Sequence, residues 1–301
     1  MYGTIDEWAL PTTSAAVDIA VDTPGLSSYP PGSLWVVWGA ERIGERAGLG
    51  ILRIDEGVMR VWTLGAITRY GQTFAPTSLH LDERGRPVFI FHATEDGASS
   101  QALCRFRPDR GVMERWLLGG RLESVTSDPA GRLWVTNHDG PRLDCIEPDE
   151  GRLLRWWLPD LTSLGPGRLL WHRGRLFFTG NRAGKEGLPE PLLHAFEPAS
   201  GVLTSWPLSP RGPCRVVSAD EQMGHVWLLC EPALGRVGCF DSAASNLFVH
   251  PIPGAGPITA LTAIYQGMLC LSDAARGELH LAELPATASP EPLDEPKQQA
   301  V

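Results

Sequence analysis

No uninterrupted apolar run in this chain approaches the ~18 residues that a bilayer-spanning helix needs. The N-terminus, Met1-Tyr2-Gly3-Thr4-Ile5-Asp6-Glu7, has no basic region and no apolar core. A signal peptide is therefore not expected, and the chain reads as cytoplasmic. Positive charge is in deficit, with 26 Lys and Arg against 35 Asp and Glu, a formal net charge of −9. An acidic surface repels phosphate, which argues against nucleic acid and anionic membranes as partners. No CxxC pair occurs among the six cysteines, and most lie in apolar runs such as Val226-Trp227-Leu228-Leu229-Cys230. Buried free thiols in a reducing compartment are expected, rather than a disulfide framework or a zinc site. A sustained helical period is missing as well.

What is present is a repeat. Trp8-Ala9-Leu10-Pro11 recurs as Trp62-Thr63-Leu64-Gly65, Trp116-Leu117-Leu118-Gly119, Trp156-Trp157-Leu158-Pro159 and Trp206-Pro207-Leu208-Ser209, with a degenerate copy at His250-Pro251-Ile252-Pro253. Successive spacings are 54, 54, 40, 50 and 44 residues. Between these marks a Gly turn opens an aromatic strand, as in Gly32 to Val37, Gly131 to Thr136, Gly174 to Thr179 and Gly224 to Leu229. A third pattern is a strand ending in a polar turn, at Arg105-Phe106-Arg107-Pro108, Cys145-Ile146-Glu147-Pro148, Ala195-Phe196-Glu197-Pro198 and Cys239-Phe240-Asp241. A Gly follows at 111, 151 and 201, supplying the positive φ of a hairpin turn.

Each repeat thus reads as a four-stranded antiparallel blade, and blades of about 40 to 50 residues build propellers. The expected fold is all-β, a six-bladed β-propeller occupying residues 1–285. The last repeat, Pro257 to Leu284, lacks its Trp-x-Leu strand, while Trp8 belongs to an orphan copy. The N-terminal strand is therefore expected to close the ring by pairing beside Leu279-His280-Leu281. Residues 286–301 join no repeat, carry several prolines and are expected to be disordered.

The units Asp128-Pro129-Ala130-Gly131-Arg132-Leu133-Trp134-Val135-Thr136 and Leu153-Leu154-Arg155-Trp156-Trp157-Leu158-Pro159 resemble the blades of the streptogramin B lyase (virginiamycin B lyase) family. The resemblance runs nearly the length of the chain and lies in blade-building residues. It implies a lyase whose site lies in the axial funnel, with magnesium as a cofactor and a medium-sized natural product or peptide as ligand; a monomer is expected. The family carries His after Pro in one inner-strand motif. Here that place holds Thr77, Glu123, Arg215 and Thr259. The family's Glu at the end of the aromatic strand is replaced by Trp38, His92, Asn137, Gly180, Cys230 and Asp273.

The funnel positions nominate His92, His138, Glu123 and Asp273 for catalysis. Imidazole titrates near neutrality, and the carboxylates suit a partner or cation role. Arg215, Asn137, Thr77, Thr259, Trp38 and Glu231 are nominated for substrate binding, Arg215 for a carboxylate or developing oxyanion and Trp38 as an apolar wall. Metal ligands are not identified. Other readings stand beside these. Glu123 and Arg215 read equally as an ion pair with each other, His92 as a solvated loop residue, Asn137-His138-Asp139-Gly140 as a polar turn and Asp273 as a turn former. The loops Gly39 to Gly50 and Asn181 to Pro191 read as rims or as solvated insertions. Two functions follow: a lyase or cyclase working in the funnel, and a non-catalytic propeller binding a peptide or protein on its loop face.

Overall fold

In a computed structural model the described residues are 16–21, 34–40, 47–53, 58–64, 73–95, 98–165, 167–184, 188–208, 214–220, 224–230, 236–241, 243–244, 246–251, 258–265, 268–273, 278–283 and 297–300. Among them every regular element is a β-strand, and the strands form six antiparallel sheets. The chain divides into two compact units, Met1–Leu122 with Pro129–Gly131, and Glu123–Asp128 with Arg132–Val301.

The first unit holds two meanders. Strands β1 (Ala16–Val21), β2 (Leu34–Trp38), β3 (Gly48–Arg53) and β4 (Val58–Thr63) pair in sequence order. So do β5 (Thr73–Leu81), β6 (Pro87–Glu95), β7 (Ala98–Arg107) and β8 (Val112–Trp116). The second unit repeats the plan. Its sheets are β9 (Leu122–Ser127) to β12 (Arg152–Trp157) through β10 (Leu133–Asn137) and β11 (Arg142–Glu147), and β18 (Arg215–Asp220) to β21 (Asn246–Pro251) through β19 (His225–Leu229) and β20 (Arg236–Asp241). Between them in sequence, the innermost strand is broken into β13 (Ser163–Leu164) and β14 (Leu170–His172), both pairing β15 (Arg175–Ala183), which continues to β16 (Pro189–Glu197) and β17 (Val202–Pro207). The last sheet is β22 (Ile258–Tyr265), β23 (Met268–Asp273) and β24 (Glu278–Glu283).

The three recurring patterns meet at one kind of junction. Trp62 on β4 stacks on Trp35 of β2 at 5.8 Å between ring centroids and meets Phe106 of the next sheet edge-on at 5.3 Å. Trp156 on β12 lies 5.0 Å from Trp134 of β10 and 5.7 Å from Phe196 of the next sheet. Trp206 on β17 lies 4.9 Å from Phe240 of β20. The Trp of the outer strand therefore bridges its own aromatic strand and the Phe of the polar-turn strand that follows. Such rings bury the largest apolar areas available and gain a further ~0.5–1.5 kcal/mol per aromatic pair. The Leu of Trp-x-Leu is buried as well, and its amide extends the sheet one bond beyond the strand: Leu64 to Ala47, Leu158 to Pro141 and Leu208 to Pro191, each at 2.9 Å.

A buried aspartate fixes the first hairpin of each sheet where the motif is full. Asp128 Oδ1 accepts the Arg132 amide at 3.1 Å, and its Oδ2 accepts Arg132 Nε at 2.6 Å and Trp134 Nε1 at 2.9 Å. In the preceding sheet Asp82 accepts the amides of Arg84 (3.0 Å) and Arg86 (2.9 Å) and Arg86 Nε (2.7 Å). The three-residue loop needs a left-handed residue at its end, and Gly131 and Gly85 supply it with φ of 79° and 67°.

Two sequence expectations change. Cys214 and Cys230 form a disulfide, whereas Cys104, Cys145 and Cys239 are buried thiols. The two cysteines occupy the next register position beyond the Arg215–Leu229 pair, with Cα atoms 4.4 Å apart. Bridging distance came from strand pairing, which spacing along the chain does not display. In addition, part of the segment expected to be disordered forms β25 (Lys297–Ala300), which pairs antiparallel with the outer edge of β17. The orphan Trp8 copy lies outside the described residues.

Replacing Asp128 with Ala should lower unfolding free energy by roughly 3 kcal/mol, because it strands the buried Trp134 N–H and removes the ionic partner of Arg132. Denaturant midpoints at neutral pH measure this. A loss under about 1 kcal/mol would show that the backbone alone holds the hairpin.

Candidate functional site

Both units carry nominated residues. In the first unit, β5 carries Thr77 at the start of a register shift that ends at His80. Ser78, inside that shift, has φ of 55°, the left-handed region that a non-glycine residue rarely takes. The distortion is held from β1, where Asp18 Oδ2 accepts the Leu79 amide at 2.7 Å. Thr77 Oγ1 lies 2.9 Å from His92 Nε2 on β6. The other ring nitrogen, Nδ1, is 2.7 Å from Gln101 Nε2 on β7, and Gln101 Oε1 accepts the Leu122 amide at 2.6 Å. His92 is therefore half-buried and held at both ring nitrogens. Burial pulls its pKa below the usual histidine value. Trp38 is buried, its indole lying where a Cβ on Gly48 would be, so it packs within its own sheet.

In the second unit, Glu123 of β9 and His138, just after β10, come together. His138 Nε2 lies 2.8 Å from Glu123 Oε2, an ion pair whenever the ring is protonated, although the approach is too far off line for a hydrogen bond. The imidazole is 7% exposed and the carboxylate 35%, so the pair opens to solvent through Glu123. Asn137 is fully buried. Its amide donates to Asp144 Oδ2 at 3.1 Å, and its oxygen accepts the Asp139 amide at 3.2 Å, the turn geometry Asn favours. Asp144 also takes Arg142 Nε at 3.0 Å, so this carboxylate anchors the corner that presents His138.

Arg215 begins β18, and burial lowers its guanidinium pKa. The break between β13 and β14 runs close against it. Gly167 has φ of 126°, and a Cβ there would meet Arg215 Cβ and Val216 O at 2.8 Å. The Arg168 amide donates to Val216 O at 2.7 Å and the Leu169 amide to Ser124 Oγ at 2.7 Å, so this break ties β18 to β9 beside Glu123.

Thr259 and Asp273 lie at one end of the last sheet, where Ile258 pairs with Asp273 and Thr259 falls in the register shift that follows. Glu231 lies outside the described residues, as do 41–46 of one candidate rim and 185–187 of the other. The described part of the second rim extends a hairpin: Arg182 pairs with Glu190 in register and binds it at 2.6 Å. Among the described residues no three His, Cys, Asp or Glu side chains group as a cation site.

Gln101, Asp144 and Asp18 were not nominated from the sequence. Gln101 was within reach: Asp-Gly in the sequence between two strand-like runs is a hairpin signal, and a two-residue connection implies the observed register, with Glu95 opposite Ala98 and His92 opposite Gln101. Asp144 and Asp18 carry no such signal.

His194 shows what a structural histidine looks like here. It is fully buried on β16, its Nδ1 is 2.7 Å from Ser205 Oγ, and its ring stacks on Phe178 at 5.1 Å. Burial, helped by Arg182, lowers its pKa from 6.5 to about 3. The unfolded chain protonates this ring near 6.5 and the folded one does not. Its contribution is thus whole above that pH and is lost as pH falls toward 3, by up to ~1.4 kcal/mol per pH unit. Denaturant titrations at pH 7, 6, 5 and 4 should show a shallower acid-side decline for His194→Gln than for the parent. Parallel declines would show that the ring is protonated in the folded state.

No family model matches the chain, and none of the curated proteins is similar to it in sequence. Solved structures are similar in fold. Virginiamycin B lyase from Staphylococcus aureus superposes with a TM-score of 0.63 at 15% identity, covering 92% of this chain and 87% of the lyase. A catalytically inactive histidine-to-alanine variant of that lyase with quinupristin gives 0.60 at 17% identity, covering 95% and 86%. The β-propeller domain of the Trilobed protease from Pyrococcus furiosus, described as having an open velcro topology, gives 0.58 at 11% identity, covering 92% and 85%. The chain is an all-β protein with the β-propeller fold of the streptogramin lyases.

Proposed function

We propose that this propeller is a lyase or cyclase acting on a medium-sized natural product, with Glu123 and His138 as its acid–base pair. The observation that carries the reading is the 2.8 Å approach of His138 Nε2 to Glu123 Oε2. Glu123, the more exposed partner, is the group a substrate meets. His138 beside it, when protonated, stabilises the carboxylate by charge. Arg215, on a strand tied to β9 through residues 168–169, supplies a cation for a substrate carboxylate or developing oxyanion. The likeness to a lyase whose histidine-to-alanine variant is inactive and was seen with quinupristin supports this class of ligand. The net charge of −9 weighs against nucleic acid. The same reading carries a cytoplasmic monomer.

A second reading, a non-catalytic propeller that binds a peptide or protein, is favoured by the β12 edge. Trp157 is 56% and Leu153 39% exposed there, on the same side of the strand by two-residue alternation.

Incubated with quinupristin and a panel of related cyclic depsipeptides, the protein should consume at least one of them. Glu123→Gln and His138→Ala should each slow that turnover by about 10²-fold or more while the thermal transition stays in place. Binding without turnover, lost instead on Trp157→Ala, would select the second reading.

We further propose that six blades form one ring, closed by residues 6–11 pairing beside β24. Deleting residues 1–11 should then lower the thermal transition and cause aggregation through an unpaired edge. A deletion variant that stays soluble with an unchanged transition would mean that the ring is open, as described for the Pyrococcus propeller.

A further inference from the structure

The Thr77–His92–Gln101 chain admits one arrangement of its hydrogens. The Leu122 amide can only donate, so the Gln101 atom facing it at 2.6 Å is the carbonyl oxygen. Gln101 therefore turns its NH₂ toward His92, 2.7 Å away. An NH₂ can only donate, so His92 Nδ1 accepts and carries no proton. The ring is neutral, as its burial favours, so its single proton sits on Nε2. It then donates to Thr77 Oγ1 at 2.9 Å. The Thr77 hydroxyl has no other partner among the described residues and is only partly buried. Its own proton is left to point outward.

We infer that Gln101 is a positioning residue that fixes His92 as the Nε2–H tautomer, so that Thr77 presents its hydroxyl as a donor to an acceptor oxygen, carbonyl or carboxylate, of a bound molecule. A histidine of the opposite tautomer would take the Thr77 proton and turn the residue into a nucleophile; this one polarises it as a donor. The distorted backbone supports a ligand role independently of the hydrogen-bond chain. Ser78 is held in the left-handed region directly after Thr77, and Asp18 of another sheet secures the distortion. Strain of this kind persists where surrounding structure imposes it and concentrates at ligand sites. This site lies in the first unit and does not depend on the Glu123–His138 reading.

Histidine-selective ¹⁵N NMR of the full chain tests it. At neutral pH the His92 Nδ1 resonance should fall in the unprotonated range and Nε2 in the protonated range. A reversed tautomer, or a cationic ring, overturns the inference. In Gln101→Glu one carboxylate oxygen still accepts the Leu122 amide and the other calls for a proton on Nδ1. His92 should then switch tautomer or become cationic, with its titration moved upward. An unchanged His92 spectrum in that variant overturns the positioning role. Thr77→Val keeps the side-chain shape and should leave the tautomer as it was, because Gln101 sets it; a switch there would transfer the role to Thr77. Acetate and N-methylacetamide serve as carboxylate and carbonyl probes. At least one should shift His92 Nε2 saturably in the parent and in no case in Thr77→Val, and the one that does names the oxygen type. A parent spectrum unmoved by both overturns the donor assignment.

Discussion

An outer-strand tryptophan clamped between two aromatic rings is the contact on which the sheets of this protein depend. A four-stranded meander has two faces to bury and cannot bury them alone. Trp62, Trp156 and Trp206 each reach an aromatic residue on the following sheet; Trp62 also stacks on Trp35, and Trp156 lies tilted against Trp134, within their own sheets. Burying rings of this size outweighs any single hydrogen bond in the blade. The spacing of the tryptophans is therefore the spacing of the sheets.

The buried aspartate turn then decides what each sheet delivers to its inner end. Asp82 and Asp128 fix the hairpins that open β6 and β10. Because those strands start at a fixed point, their far ends bring His92 opposite Gln101, and Asn137 and His138 to the corner anchored by Asp144. Chemistry at the strand ends is thus positioned by ion pairs and tight turns at the opposite ends. Asp144 shows the same economy: one carboxylate satisfies Asn137 and Arg142 while leaving the neighbouring imidazole to Glu123.

The histidines separate by environment more than by location in the repeat. His194 is sealed, stacked and held neutral. His92 is fixed on both ring nitrogens and serves as a donor. His138 faces a partly exposed carboxylate. A lyase or cyclase reading rests on the last of these, since a proton must pass between protein and substrate where solvent or ligand can reach it.

The sequence by itself determined the all-β class, the four-strand antiparallel pattern and its repeat, but neither the break between β13 and β14 nor strand β25. Trp-x-Leu, the Gly turn and the polar turn act locally, through turn geometry and period-two burial, and these rules apply before any long-range contact forms. The resemblance to the streptogramin lyase blades also nominated Glu123, His138, Thr77 and His92. Only the tertiary structure decided which of these meet and what each can do. Asn137 and His138 are adjacent in sequence, yet one is spent on Asp144 and the other faces Glu123, because successive side chains at the end of a strand point apart. The Cys214–Cys230 bridge was decided there too. It depends on register across a hairpin, which pairs residues by geometry and not by type.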